Sequence, residues 1–142
     1  MINATRCRIA VVDDEASMGR ALQRLLRLAG YDVETFASGN DFLLSLETQV
    51  PDCVVLDLHM PVVTGFDVQA QLGVAHPNVV VVVITGHDSP QARERVHAMG
   101  DVDYLRKPVA EDVLLEAIAR GLARKRPSAD NGESSYGRKP ET

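Results

Sequence analysis

The chain has 142 residues, 45% of them hydrophobic and only 4% aromatic, with a formal net charge of −5. That length bounds it to one domain with a core of Val, Leu, Ile and Ala, or one such domain plus a tail. The acidic balance argues against direct binding of nucleic acid, which needs a basic surface, and no apolar run approaches the length that spans a bilayer.

Cys7–Val12 is an apolar run broken by Arg8 and followed by Asp13-Asp14-Glu15, and it reads as a strand. Met18, Leu22, Leu25, Leu26 and Ala29 recur at helical spacing over Ala16–Ala29, and Gly30 ends that helix. Residues 31–36 alternate, as in a strand with one wet face near a sheet edge. Ser38 caps a short helix bearing Phe42, Leu43 and Leu46. Cys53–Leu56 is continuously apolar, as a central parallel strand is. Thr64–Val74 is a weaker helix, closed by Gly73 and Pro77.

Val79–Ile84 is six β-branched residues in a row. Ser89-Pro90 then opens a helix over Pro90–Met99, with serine as cap and proline at the first helical position. Its apolar stripe is thin (Ala92, Val96, Met99) and Gly100 stops it. Val102–Leu105 is a short strand, and Glu111–Leu122 is a helix with Leu114, Leu115, Ala117, Ile118 and Leu122. From Arg124 on, Ser, Gly, Pro and charge leave too little to pack, and disorder is expected. The expected organisation is a folded domain over 6–124 and a polar tail or truncated linker over 125–142.

Charge and cysteine usage add detail. The segment 124–142 carries a net charge of +2, which leaves −7 for residues 1–123, where Lys107 is the only lysine. Cys7 and Cys53 sit at strand starts and read as small core hydrophobes. Their strands would be neighbours, which leaves a disulfide geometrically open, but a cytosolic setting disfavours one. No charged and apolar leader is visible, so a cytoplasmic location is expected.

Five strands alternate with five helices, which favours an α/β fold: a doubly wound parallel sheet with helices on both faces. Such sheets place ligand sites beyond the carboxyl ends of their strands. Asp13 and Asp14 follow the first strand, Asp57 ends the third, Thr85 ends the fourth and Lys107 follows the fifth. Three gathered carboxylates repel one another, and a hard dication such as Mg2+ relieves this. A carboxylate at Asp57 can then act as a nucleophile toward a phosphoryl group. The metal would neutralise one phosphoryl oxygen and Lys107 another, while Thr85 could donate to a third. Plainer roles stand beside these: Asp13-Asp14 as a helix cap, Asp57 as a strand-end residue, Thr85 as a turn residue. Their joint occurrence at successive strand ends is what separates the two readings.

The motifs Asp13-Asp14, Asp57-Leu58-His59-Met60-Pro61 with Gly65, Ile84-Thr85-Gly86-His87 and Asp103-Tyr104-Leu105-Arg106-Lys107-Pro108 resemble those of bacterial two-component response-regulator receiver domains over residues 6–123. The Ile84–His87 stretch is most similar to FixJ-type receivers. The resemblance implies a flavodoxin-like fold with strand order 2-1-3-4-5 and Asp57 as phosphoacceptor, fed by a histidine kinase or phosphotransfer protein. It implies Asp14 and Asp57 as direct Mg2+ ligands, Asp13 acting through water, the His59 backbone carbonyl as a further ligand, and a cis Lys107-Pro108 peptide that aims Lys107 inward. It also implies a switch in which Thr85 moves toward the phosphoryl group and Tyr104 turns inward. The surface of the helix over 90–99, the strand over 102–105 and the last helix would then change partner preference, with homodimerisation as one outcome. A static half-buried aromatic is the plainer role for Tyr104.

Gly86 leaves the site open on one side, and His59 and His87 flank its entrance. These three positions are expected to set how long the acyl phosphate lasts; the histidines lack the spacing and partners of a zinc site. FixJ-type receivers precede a DNA-binding domain, so a stand-alone receiver and an N-terminal fragment of a transcriptional regulator both remain open. A small Mg2+-dependent phosphatase with an aspartyl nucleophile is the rival from another class. It would want an acid two residues after Asp57, where His59 stands, and a covering cap. A degenerate receiver that binds partners without phosphate is a third reading, opposed by the intact acids, Thr85 and Lys107. Apart from handling its own phosphoryl group, the chain is not expected to be an enzyme.

Overall fold

The structure is a computed structural model that describes residues 6–100 and 102–125. Strands and helices alternate strictly as β1 (Arg8–Val12), α1 (Ala16–Leu28), β2 (Asp32–Phe36), α2 (Gly39–Ser45), β3 (Cys53–Asp57), α3 (Gly65–Ala75), β4 (Val80–Thr85), α4 (Pro90–Ala98), β5 (Asp103–Arg106) and α5 (Glu111–Lys125). The five strands are parallel, in the order β2-β1-β3-β4-β5. This is the expected flavodoxin-like order, and it places β3 at the centre between β1 and β4.

Side-chain alternation divides the core. Ile9, Val11, Cys53, Val55, Val82 and Ile84 face α1 and α5, where they meet Leu22, Leu26, Leu114 and Ile118. Ala10, Val12, Val54 and Leu56 face the other way, onto Phe42, Val68 and Leu72 of α2 and α3. A smaller cluster of Leu58, Val83, Ala92 and Val96 seats α4. The thin stripe read from the sequence therefore corresponds to a lightly anchored helix. Both cysteines are thiols, and burial pushes the Cys53 thiol far above its ordinary range.

The caps follow the sequence. The Ser38 and Ser89 hydroxyls accept from the Asp41 and Ala92 amides at 3.0 Å each. Thr64 and Asp67 form a reciprocal capping box at the start of α3. Gly30, at φ 101°, closes α1: its amide donates to Arg27 O and that of Tyr31 to Leu26 O.

Two helix ends depart from expectation. α3 continues through Gly73 to Ala75; the stop is His76, held at φ −140° and ψ 66°, out of the helical region, directly before Pro77. α5 runs past Leu122 to Lys125, so Arg124 and Lys125 are helical rather than part of a disordered tail. Lys125 Nζ lies 3.3 Å from Asp52 Oδ1, and basic groups in a last turn complement the helix dipole. The tail expected over 126–142 lies outside the described residues. β4 and β5 also sit one residue later than the apolar runs 79–84 and 102–105, and Thr85 ends β4 as expected.

Candidate phosphoacceptor site

Asp57 closes β3, opposite Ile84, and Thr85 closes β4, opposite Arg106. Asp57 continues the Cys53 and Val55 series toward α1 and α5, whereas Thr85 continues the Val81 and Val83 series toward α4. The ladder extends one step further at both flanks: Asp13 N–H donates to Phe36 O at 3.0 Å and Lys107 N–H to Thr85 O at 2.8 Å. Backbone pairing thus fixes four functional positions at one rim. Asp14 is exposed in the next turn, beside them.

One ligand oxygen from each of Asp13, Asp14 and Asp57 lies within 4.8 Å of the other two. Lys107 Nζ is 3.0 Å from Asp13 Oδ2 and 3.7 Å from Asp57 Oδ2. Asp13 also accepts the Glu15 amide at 2.9 Å through its other oxygen, which fixes the turn leading into α1. Asp57 is 4% exposed, and its carboxyl is pushed up to about 6 by burial and then by the Asp13 charge, against the pull of Lys107. Burial draws Lys107 down, but the Asp13 hydrogen bond and the charges of Asp57, Asp13 and Glu15 outweigh it and leave the ammonium above its usual value. The site thus holds a carboxylate short of positive charge among hard oxygen donors, which fits a dication. The Lys107-Pro108 peptide is cis.

On the far side, the Thr85 hydroxyl accepts from His87 N–H at 3.0 Å and lies 3.1 Å from His59 Nδ1. Burial, followed by the charges of His87 and Lys107, holds His59 below its usual value, so its neutral ring can accept the Thr85 proton. The two imidazoles meet edge to face at 4.9 Å. The His59 amide also donates toward Asp57 Oδ1 at 3.4 Å. Behind this loop, Gly65 N–H donates to Leu58 O at 3.0 Å, and a Cβ at Gly65 would collide with Asp57 O and lie 2.6 Å from Leu58 Cα. Only glycine lets α3 start this close to the acid.

Residues 9–119 match the response regulator receiver domain. The chain belongs to that family. It is 34% identical over 123 residues to nodulation protein W of Bradyrhizobium diazoefficiens, covering 87% of this chain and 54% of that one. It is 37% identical to the response regulator protein TodT of Pseudomonas putida, covering 80% and 50%. The receiver spans about half the length of these curated relatives. Among solved structures, chemotaxis protein CheY4 of Vibrio cholerae is 28% identical and superposes with a TM-score of 0.75 over 82% of this chain and 98% of that one. A CheY-like receiver from Methanospirillum hungatei shares the fold, with a TM-score of 0.82 at 24% identity over 86% of this chain and 98% of that one. Receiver domains bind Mg2+ at an acidic pocket, and Asp13, Asp14 and Asp57 form one that could hold a metal.

Tyr104 is half-buried, its ring 5.1 Å beneath the Arg93 guanidinium and 6.3 Å from His97. Its hydroxyl is shut off from solvent near Asp88, with no partner in hydrogen-bonding geometry among the described residues. Burial, then Asp88, pushes the phenol up. A Cβ built at Gly86 would lie 3.8 Å from Lys107 Cδ, at ordinary contact distance from the lysine stem.

Three groups escaped the sequence reading. Arg95 of α4 stacks 4.0 Å over Phe66 of α3, whose ring meets His59 edge-on at 6.3 Å. Gln69 of α3 is 4% exposed and donates to Val96 O of α4 at 3.0 Å. A polar residue between Val68 and Leu72 on a buried face was a signal for Gln69; Phe66 and Arg95, on different helices, left none.

Proposed function

We propose that this receiver accepts a phosphoryl group on Asp57 from a histidine kinase or a phosphotransfer protein, and that the phosphoryl group resets its α4-β5-α5 surface. The convergence of Lys107, Asp13 and Asp14 on the Asp57 carboxylate carries this reading. Asp14, Asp57 and the His59 backbone carbonyl would hold Mg2+ directly, and Asp13 through water. Bound Mg2+ supplies positive charge opposite the phosphoryl oxygens. An Asp57 oxygen attacks phosphorus in line as the bond from phosphorus to the donor's leaving group breaks. Lys107 balances a second phosphoryl oxygen, and the Thr85 hydroxyl donates to a third. Thr85 is drawn toward the phosphoryl group, and Tyr104 moves deeper into the space it leaves. The shift can be no larger than the free energy that the phosphoryl contacts supply. His59, Gly86 and His87 line the water approach and set the lifetime of the acyl phosphate; equal decay in wild type and His59→Ala would remove His59 from that set.

Partner binding, including homodimerisation, is the proposed output, without direct nucleic-acid contact by the described residues. No helix among them is long and apolar enough to cross a membrane. A second reading makes the chain the N-terminal receiver of a DNA-binding regulator. It is favoured by its half-length match to the relatives and by 34% identity to the DNA-binding transcriptional regulator NtrC of Klebsiella pneumoniae, of which it covers 24%. The phosphatase alternative lacks its second acid, since His59 stands there.

Incubation with Mg2+ and acetyl phosphate, read by intact mass, tests the reading. One added phosphate in wild type and none in Asp57→Ala is expected; an unmodified wild type, or a modified Asp57→Ala, overturns it.

A further inference from the structure

A threonine hydroxyl has one proton to give. At Thr85 the oxygen already accepts the His87 amide at 3.0 Å, and its other close polar partner is His59 Nδ1 at 3.1 Å. An amide can only donate; the oxygen keeps a second lone pair, so the direction of the His59 bond is set by the imidazole tautomer, and with the ring proton on Nε2 the Thr85 proton is the one that points at Nδ1. The ring is steadied on two sides, by His87 at 4.9 Å and Phe66 at 6.3 Å. A phosphoryl group on Asp57 would ask for that same proton.

We propose that His59, with its ring proton on Nε2, is a positioning residue that latches Thr85, its Nδ1 competing with a phosphoryl group on Asp57 for the single Thr85 proton. The inference rests on the phosphoacceptor reading and adds to it a specific opponent of the switch. No covalent bond to Thr85 forms or breaks; its O–H exchanges the imidazole for a phosphoryl oxygen as acceptor. Breaking the latch costs about one hydrogen bond, which works against both phosphorylation and the active arrangement.

The latch differs from simple bulk at the entrance, and two substitutions separate them. His59→Leu keeps bulk but offers no acceptor. His59→Asn is smaller but keeps an acceptor at the same bond distance from the backbone as Nδ1. Because His59 is solvent-exposed, neither change disturbs the core. The experiment follows the rate of phosphorylation by acetyl phosphate with Mg2+, read by intact mass. His59→Leu is expected to react about fivefold faster than wild type, the equivalent of one net hydrogen bond. His59→Asn is expected to return to the wild-type rate, and the gain from His59→Leu is expected to vanish in a Thr85→Ala background. Equal acceleration in the Leu and Asn variants, no acceleration in either, or a gain that survives Thr85→Ala would overturn the latch. A wild type that takes up no phosphate would instead defeat the underlying phosphoacceptor reading.

Discussion

Lys107 Nζ lies nearer Asp13 than Asp57, at 3.0 Å against 3.7 Å. The ammonium is therefore first the counter-ion of a carboxylate whose side chain has no solvent exposure, and only second a neighbour of Asp57. Removing it leaves Asp13 buried beside Asp57 with like charge. Lys107→Met is expected to cost on the order of 2–3 kcal/mol of stability in metal-free buffer, below the full penalty of a broken buried pair because the site opens to water. Added Mg2+ should restore much of that loss, since a dication replaces the missing cation. Chemical denaturation with and without Mg2+ measures both; a loss indifferent to Mg2+ would show that the acids do not share a cation.

Asp57 gives a prediction of opposite sign. Its carboxyl rises from 3.8 to about 6 on folding, through burial and then Asp13. The native chain therefore binds more protons than the unfolded one between those values, and stability falls as pH rises through that window. Below it, both states are protonated and the term disappears. Asp57→Asn removes the term, so without metal it should be more stable than wild type at pH 7 by on the order of 1–2 kcal/mol, discounted for relaxation and water entry. At pH 3.5 the two proteins should converge. Parallel stability curves across this range would contradict the assignment.

What the sequence disclosed, and what it withheld, follows from the range of the forces involved. The unbroken runs Cys53–Leu56 and Val79–Ile84 announced central parallel strands because both of their faces are buried. Once the strand order was in hand, Asp13, Asp57, Thr85 and Lys107 had to share a rim, since parallel strands end together. Helix ends were less legible. Gly73 looked like a stop, but an exposed glycine is only weakly unfavourable in a helix, and the backbone constraint before Pro77 decided the boundary. Lys125 joined α5 through Asp52, a partner 73 positions away that no local pattern could supply. The His59 to Thr85 bond was hidden for the same reason: both residues were singled out, but their contact depends on side-chain direction across two loops.

Gln69 ties α3 to α4 through Val96 O, while its own carbonyl oxygen, Oε1, is buried without a partner. Gln69→Leu removes the orphan acceptor along with the tether, and Val96 O keeps the Met99 amide at 3.1 Å. The gains and losses offset, so global stability should change by less than about 1 kcal/mol. Local behaviour should not be so even. α4 otherwise rests mainly on Ala92 and Val96, so its amides should exchange with deuterium several-fold faster in the variant. Unaltered α4 protection would mean that packing alone holds the helix.

Val62 lies in the loop between Asp57 and α3, 96% exposed, with φ at 66°. A β-branched side chain in the left-handed region crowds its own backbone, and a fully solvated one gains no packing in return. The conformation is imposed from both sides: Pro61 precedes it, and Gly65 must arrive against Asp57 O. Asparagine tolerates this region better, so Val62→Asn is expected to stabilise the receiver by about 1 kcal/mol. For a domain of this size that corresponds to a melting temperature higher by about 4 °C. Because the Val62 side chain is 96% exposed, phosphate uptake from acetyl phosphate should match wild type. Val62→Ala distinguishes the causes: it relieves branching but retains a Cβ, and should recover only part of the gain. A melting temperature unchanged in both variants would show that the loop relaxes freely and that its geometry places no strain on the approach to Asp57.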